Sequence, residues 1–315
     1  LLLMQNHHIA IETGIHSPNI YEADLWIVSP GISKDSSIIQ KAQKENIPIV
    51  SEVEFASWYT TSEIIAITGS NGKTTTSHIL YQMLKTKETK SILAGNIGVS
   101  FSNCVLNELL RPEKLFYILE VSSFQLEFVK HFCPSIALFT NITEDHIDRH
   151  HSMDEYIKMK LNLIQNFDEK NIVIFNEDDK TLNKIFKNKK FIKKSFSITS
   201  KNTVYQINQN AIWCNIKKEK ISNRKNIALK GNHNLSNLLA ASTCANILGI
   251  KNAKIKKIIE SFMGVKHRLE FVSTINDVDY INDSKATNIN SVIAAINAYE
   301  KPIVLILGGY NKGAD

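Results

Sequence analysis

The feature that most constrains this chain is an apolar run that breaks into a glycine turn and restarts as a helix. Ile64–Thr68 (IIAIT) reads as a buried strand, Gly69-Ser70-Asn71-Gly72 as the turn, and Lys73 to about Thr86 as the helix. Glycines let the backbone curl so that successive N–H groups point inward at phosphate oxygens. The helix presents its positive N-terminus to the same anion. In such a loop Lys73 reaches the β- and γ-phosphates, and the hydroxyl of Thr74 or Thr75 can ligate Mg²⁺. The full phosphate-loop pattern has a further glycine where this chain has Ile67, so a shortened G-x-x-G-K-T remains. The loop predicts bound nucleotide but names no reaction.

The rest of the chain repeats the strand-then-helix rhythm. Asp24–Ser29 and Ile47–Val50 read as strands around a helix over Ser36–Glu45, with Phe55–Ser62 as a connector. Leu115–Glu120, Ile136–Thr140 and Ile172–Phe175 are short continuous apolar runs of parallel-strand type. Asp154–Phe167, Asn234–Leu248 and Ala253–Phe262 read as helices. Beyond Lys266 the pattern gives strands Leu269–Thr274 and Val278–Asn282, a helix over Ile289–Tyr299 and a strand Ile303–Leu307. The expected fold is α/β, with a central parallel sheet carrying ligands at its C-terminal strand ends. Three units follow: 1–62, 63–265 and 266–315, the last of about 50 residues and too small for a robust core of its own. The chain does not open with Met and stops just after a strand-like run, which suggests a piece of a longer protein.

Composition narrows the function class. With 43% hydrophobic and 22% charged residues the chain reads as soluble, and no apolar run approaches the roughly 20 residues that span a bilayer. A cytoplasmic protein with no membrane partner is expected. The four cysteines (Cys104, Cys133, Cys214, Cys244) lack a C-x-x-C pair, which argues for buried reduced thiols rather than a disulfide framework or thiolate metal site. The net charge of +6 gathers in Lys184–Lys194, Lys217–Lys220 and Lys251–Lys257. These runs lack the interleaved aromatics of a nucleic-acid surface and read as solvated faces, though their field favours an anionic substrate.

Three further groups could complete a site. Glu120 ends a strand on the same sheet edge as the loop, where a carboxylate suits Mg²⁺; an N-cap or a solvated strand end is the plainer reading. Asn141–His151 packs three acids, three histidines and an arginine into one segment, equally compatible with a metal or with an ordinary polar loop. Asp283–Asn288 mixes acid, hydroxyl and amine, and could as easily cap a helix. Read alone, Lys160 is an exposed helix lysine.

Taken in order, these residues resemble the Mur ligase family, in its D-glutamate-adding branch. The blocks carrying the likeness are Ser29-Pro30-Gly31-Ile32, Thr68–Thr75, Gly95-Asn96-Ile97-Gly98, Glu120–Gln125, Thr143–Arg149, Gly231–Asn234, His267-Arg268, Asp283–Asn288 and Gly308–Asp315. The resemblance implies a three-domain architecture, with the central sheet flanked by partial Rossmann-like N- and C-terminal domains. It implies ATP and Mg²⁺ as cofactors, and UDP-N-acetylmuramoyl-L-alanine and D-glutamate as substrates of an acid–amino-acid ligase acting as a monomer. It implies that Gly69, Ser70, Asn71, Gly72, Lys73, Thr74 and Thr75 hold the triphosphate, and that Asn234, Arg268 and Asp283 contact the nucleotide. Thr74, Glu120, His146 and Lys160 would serve the metal, Lys160 as a carbamate. Ser29, Asn96, His146, Lys285, Thr287 and Lys312 would face the substrates. A folylpolyglutamate synthase-like ligase shares the loop and the acyl-phosphate chemistry, and a catalytically weak nucleotide-binding fragment is the reading from another class.

Overall fold

The computed structural model describes residues 9–85, 90–112, 115–187 and 189–309. Its first unit contains β1 (Trp26–Val28), α1 (Ser37–Lys44) and β2 (Ile49–Ser51), the strands pairing in parallel with Ile27 opposite Val50. The segment expected to be a connector instead opens with α2 (Glu52–Ser57). Ser51 caps this helix through Glu54 N–H at 3.3 Å, and acidic Glu52 and Glu54 suit its positive first turn. Val53 and Ala56 pack into the core of the next unit. The Glu54 carboxylate accepts backbone N–H groups of Lys130, His131 and Phe132, which ties the helix down.

The central unit runs through β3 (Glu63–Thr68), α3 (Lys73–Leu84), β4 (Lys90–Gly95), α4 (Phe101–Leu110), β5 (Leu115–Glu120) and β6 (Ile136–Phe139). It continues with the single turn α5 (Ile147–His150), α6 (Met153–Leu161), β7 (Ile172–Asn176), α7 (Lys180–Phe186) and β8 (Ile192–Phe196). These strands make one parallel six-stranded sheet in the order β4-β5-β3-β6-β7-β8. The helix expected over Asp154–Phe167 ends early, at Leu161, and finishes as a 3-10 turn over Asn162–Ile164.

Strand alternation builds two cores from one sheet. On β3, Ile65 and Ile67 enter the layer shared with α3, while Ile64 and Ala66 enter the layer shared with α4. Ile136 and Leu138 against Ala137 and Phe139 repeat the division on β6. Both faces are covered, which is why these strands read as unbroken apolar runs. The lysine run at 184–194 ends in β8, one of the two edge strands, whose exposed Lys193 and Lys194 discourage pairing with another chain.

After β8 come an antiparallel sheet of β9 (Tyr205–Asn208), β10 (Ala211–Cys214) and β11 (Glu219–Asn223), then α8 (Asn232–Ile247) and α9 (Asn252–Ser261). All of these pack on the face of the sheet that carries α3. The third unit pairs β12 (Glu270–Ile275) with β13 (Val278–Asn282) and adds α10 (Ile289–Ile296). None of its described residues is buried. The strand expected at Ile303–Leu307 is not formed: no described strand pairs with it, and Val304 and Ile306 are 93% and 92% exposed. A strand without a ladder partner leaves its backbone groups to water. Among the cysteines Cys104, Cys214 and Cys244 are buried, but Cys133 is exposed, contrary to expectation; all four are free thiols.

Candidate functional site

The glycine turn follows β3 into α3 at the C-terminal edge of the sheet. Gly69 lies at φ +147° and Gly72 at φ +84°; a Cβ on Gly69 would meet the Thr140 hydroxyl, and one on Gly72 the Asn237 amide oxygen. Only glycine fits both the conformation and the space. The loop is laced to the segment after β6. Ser70 N–H donates to the Asn141 carbonyl (2.9 Å), Asn71 N–H to Asn141 Oδ1 (2.9 Å), and the Ser70 hydroxyl to the Thr143 carbonyl (2.7 Å). Thr74 and Thr75 are buried in the first turn of α3.

Two lysines converge on this loop. Lys73 Nζ folds back to donate to the Gly69 and Ser70 carbonyls at 2.7 and 2.8 Å. Lys160 Nζ, from α6, donates to the same Gly69 carbonyl at 2.9 Å and lies 4.5 Å from the centre of the Tyr156 ring. Lys160 is 1% exposed, so its reading as a surface lysine is overturned. The sequence hid this because α6 is helical and polar, while the Gly69 carbonyl that meets Lys160 comes from a loop distant in sequence. Burial pushes the Lys160 ammonium well below its ordinary range, and the neighbouring Lys73 charge adds to this; Asp145 and Glu120 oppose it in part. Lys73 is lowered too, first by burial, with Glu120 and Asp145 opposing.

Glu120 closes β5, next to β3, and is 2% exposed. Its Oε1 accepts from Asn96 Nδ2 at 2.8 Å, and Asn96 N–H donates to the Glu120 carbonyl at 2.8 Å. The other oxygen, Oε2, is buried with no hydrogen-bond partner. A buried carboxylate oxygen left unpaired beside a phosphate-type loop suits a hard cation that completes its shell with water and phosphate oxygens. Among the described residues no group of three or more His, Cys, Asp or Glu side chains is gathered for a metal, so the donor set does not suit a protein-only cage.

His146 sits left-handed at φ 55° as the N-cap of α5, with Nε2 3.6 Å from Asp145 Oδ2 and its ring 4.8 Å from that of Phe124. Ser29 is exposed at the end of β1, in the first unit. From the third unit, Arg268 Nη2 donates to Thr74 Oγ1 at 3.2 Å. Asn288 Nδ2 and the Ser291 hydroxyl both donate to Asn71 Oδ1, at 3.0 and 2.7 Å. Asp283 accepts from Leu269 N–H at 3.1 Å, and burial raises its carboxyl. A cavity of about 290 Å³ opens between the units, lined by Asn71, Gly72, Thr75, Asn234, Arg268 and Asp283 among others. Lys285 and Thr287 are exposed on the Asp283–Asn288 loop, outside that lining. Lys312 lies outside the described residues.

Three participants had no individual role in the sequence reading, Asp145 only as one acid of the Asn141–His151 segment. His78 lies one helical turn beyond Thr74 and is lowered first by burial, with the Glu120 charge raising it and Lys285 and Arg268 lowering it. Its i, i+4 spacing from Thr74 was the available signal. Asp145, half-buried, acts electrostatically on both Lys73 and Lys160. Asn237, on α8, is buried and accepts from the Thr76 hydroxyl at 3.3 Å behind Gly72; nothing local in the sequence marks it.

Comparison with known proteins agrees with this geometry. Residues 67–245 match the Mur ligase middle domain. The UDP-N-acetylmuramoylalanine--D-glutamate ligase of Bacteroides thetaiotaomicron is 39% identical over 99% of this chain and 71% of its own length. The enzyme of the same name from Christiangramia forsetii is 40% identical over 93% of this chain and 66% of its own. Among solved structures, MurF from Acinetobacter baumannii superposes with a TM-score of 0.62 at 20% identity, covering 77% of this chain and 55% of that one. MurC from Thermotoga maritima gives 0.59 at 20% identity over 95% and 70%. These two attest to the fold alone. The phosphate-type loop, its place in the parallel sheet and the identity to relatives over nearly all of this chain together put it in the Mur ligase family, with the UDP-N-acetylmuramoylalanine--D-glutamate ligases.

Proposed function

We propose that the chain provides the ATP-binding and carboxylate-activating machinery of an amide ligase that adds D-glutamate to UDP-N-acetylmuramoyl-L-alanine in peptidoglycan precursor synthesis. The observation that carries this reading is the convergence of two lysines, the partly buried Lys73 and the buried Lys160, on one loop carbonyl beside Glu120. The names of the relatives supply the substrate class.

A carboxylate is a poor electrophile; ATP with Mg²⁺ supplies the phosphoryl group that makes the alanyl carboxylate an acyl phosphate and offsets its charge. The chain's residues do the rest. Gly69, Ser70, Asn71 and Gly72 would form the cradle, the Ser70 and Asn71 N–H groups fastening it to the segment after β6 while the turn at Gly72 and the start of α3 face phosphate. Lys73 would leave the Gly69 and Ser70 carbonyls for the β- and γ-phosphates. Thr74, the unpaired Glu120 oxygen and His146 would hold the metal. Asn96, bonded to Glu120, and His146 would lie along the muramoyl substrate, with Ser29 on the first unit's side. Asn234, Arg268 and Asp283 line the cavity where the nucleotide would sit, Thr75 beside them. Lys285, Thr287 and Lys312 would meet the incoming glutamate.

Lys160 fits a further role. Only a neutral amine adds CO₂, and burial holds Lys160 toward that form. Carbamylation would give an anionic oxygen ligand in the same buried place. Lys160→Ala should then lose activity that short carboxylates such as acetate partly restore.

Units 1–62, 63–265 and 266–315 would bind the muramoyl nucleotide, ATP and glutamate in turn, in a monomer. No helix among the described residues is long and apolar enough to cross a membrane. The cytoplasm, where ATP and nucleotide sugars are held, is the proposed location. The test is ADP release by the complete protein, which should require both UDP-N-acetylmuramoyl-L-alanine and D-glutamate. Release driven by a folate and L-glutamate instead would turn the reading to a folylpolyglutamate synthase, and none with either pair to a nucleotide-binding fragment.

A further inference from the structure

Outside the groups assigned above, one largely buried cation bridges two units. Arg149 lies on α5, the single helical turn that starts at His146. Its Nη2 donates to Glu127 Oε2 at 2.9 Å and to the Ile32 carbonyl at 2.9 Å, and approaches the Pro30 carbonyl at 3.5 Å. Pro30 and Ile32 belong to the turn that follows β1, closed by Ile32 N–H on the Ser29 carbonyl at 3.0 Å. The Glu127 side chain is 1% exposed, and neither its Oε1 nor Arg149 Nε has a hydrogen-bond partner.

A buried ion pair adds little net stability, because desolvation offsets its attraction. Its distinctive effect is geometric. The Arg149 and His150 N–H groups donate to the His146 carbonyl at 3.1 and 3.0 Å, so one turn fixes Arg149 relative to His146. The Phe124 ring braces both, 4.8 Å from the His146 ring and 4.9 Å from the guanidinium carbon. A shift of the Pro30–Ile32 turn is therefore passed to His146 through one bonded, packed unit. Two other pairs cross the same seam, His151–Asp35 at 2.9 Å and Lys34–Glu155 at 3.5 Å, but they are solvent-exposed or nearly so and weaker.

We infer that Arg149 is a positioning residue that couples seating of the muramoyl nucleotide on the turn after β1 to the placement of His146. The inference rests on the ligase reading above. It assigns Arg149 to the muramoyl substrate rather than to ATP.

The test uses the complete protein. Arg149→Ala leaves Glu127 buried and unpaired and can fail to fold, so the double variant Arg149→Met/Glu127→Gln, which removes both charges, is made beside it. KM for UDP-N-acetylmuramoyl-L-alanine, KM for ATP and Tm are measured, together with the calorimetric Kd of the muramoyl nucleotide. The double variant should raise the muramoyl KM and Kd about tenfold, a usual size for coupling between sites, and leave the ATP KM within about twofold. Arg149→Lys, which keeps a donor for Glu127 and Ile32, should recover most of the loss. A folded double variant with unchanged muramoyl Kd overturns the inference, as does a parallel rise in the ATP KM. If wild type releases no ADP with both substrates, the ligase reading fails on its own, while a weakened muramoyl Kd in the double variant still supports the coupling.

Discussion

The C-terminal edge of the central sheet and the third unit face each other across the same cavity, yet they are held in different ways. At the sheet edge the functional side chains are part of the core: Thr74, Thr75, Glu120 and Lys160 are buried, and the loop is bonded to the segment after β6. In the third unit nothing described is buried, and its contacts with the loop are the polar ones from Arg268, Asn288 and Ser291. The difference separates two jobs. A group that must stabilise charge in a reacting phosphoryl gains from a rigid, dry setting. A unit that closes over substrates must be able to leave, and polar contacts without a shared apolar core allow that.

Removing the loop lysine probes the rigid side most severely. Lys73→Ala should cut ADP formation by at least about 10³-fold, the scale of a lost cation on a transferring phosphoryl group; a steady-state rate near wild type would break the comparison at its stronger half.

A second test concerns the stability of the same region. His150 is fully buried, with its Nε2 2.9 Å from the Ser123 hydroxyl, and burial, reinforced by the Lys160 charge, holds it down to about 4. An unfolded histidine titrates near ~6.5. Between these values the unfolded chain takes up a proton that the folded chain refuses, so the stability present above pH ~6.5 falls as the pH drops toward about 4. The loss reaches about 3 kcal/mol. His150→Asn should flatten that part of the urea-unfolding profile relative to wild type. Parallel profiles would mean that His150 is free to protonate in the fold.

On the third unit the effects should be smaller and confined to binding. Arg268→Ala removes the bond to Thr74 and should raise the ATP KM about tenfold, or ~1.4 kcal/mol, with little change in Tm. A Tm drop of the size seen for core substitutions would show that the unit is welded to the sheet. Asn288→Ala loses both the α10 cap at Ser291 N–H (2.9 Å) and the bond to Asn71. Since a cap is worth about 1 kcal/mol and α10 is exposed, the ATP KM should rise less than about fivefold and Tm should hold.

The same contrast governs how much could be read from sequence. The strand, turn and helix around Gly69–Thr75 were legible because glycine geometry, strand burial and helix polarity all act within a few residues. Glu120 was legible as the end of a continuous apolar run. What lay beyond reach depended on neighbours distant in sequence. Lys160 looks solvent-facing until the loop carbonyl of Gly69 meets it. The strand at Lys90–Gly95 and the antiparallel strands β9 to β11 went unread, since each is short and mixed and is defined by its pairing. In the third unit Ile303–Leu307 has strand composition but no ladder partner among the described residues, so its β-propensity has nothing to act on. Asn237 is invisible locally because its place behind Gly72 comes from α8 packing on α3.

The central claim is that the loop Gly69–Thr74 and the unpaired Glu120 oxygen form one nucleotide–metal seat. A crystal structure of the complete protein with a non-hydrolysable ATP analogue and Mn²⁺, read by anomalous scattering, addresses it directly. The triphosphate should lie over the Gly69–Thr74 loop and the start of α3, with Lys73 Nζ moved from the Gly69 carbonyl onto phosphate and a manganese peak bonded to Glu120 Oε2. A nucleotide bound elsewhere, or a manganese peak with Glu120 still bare, would contradict it.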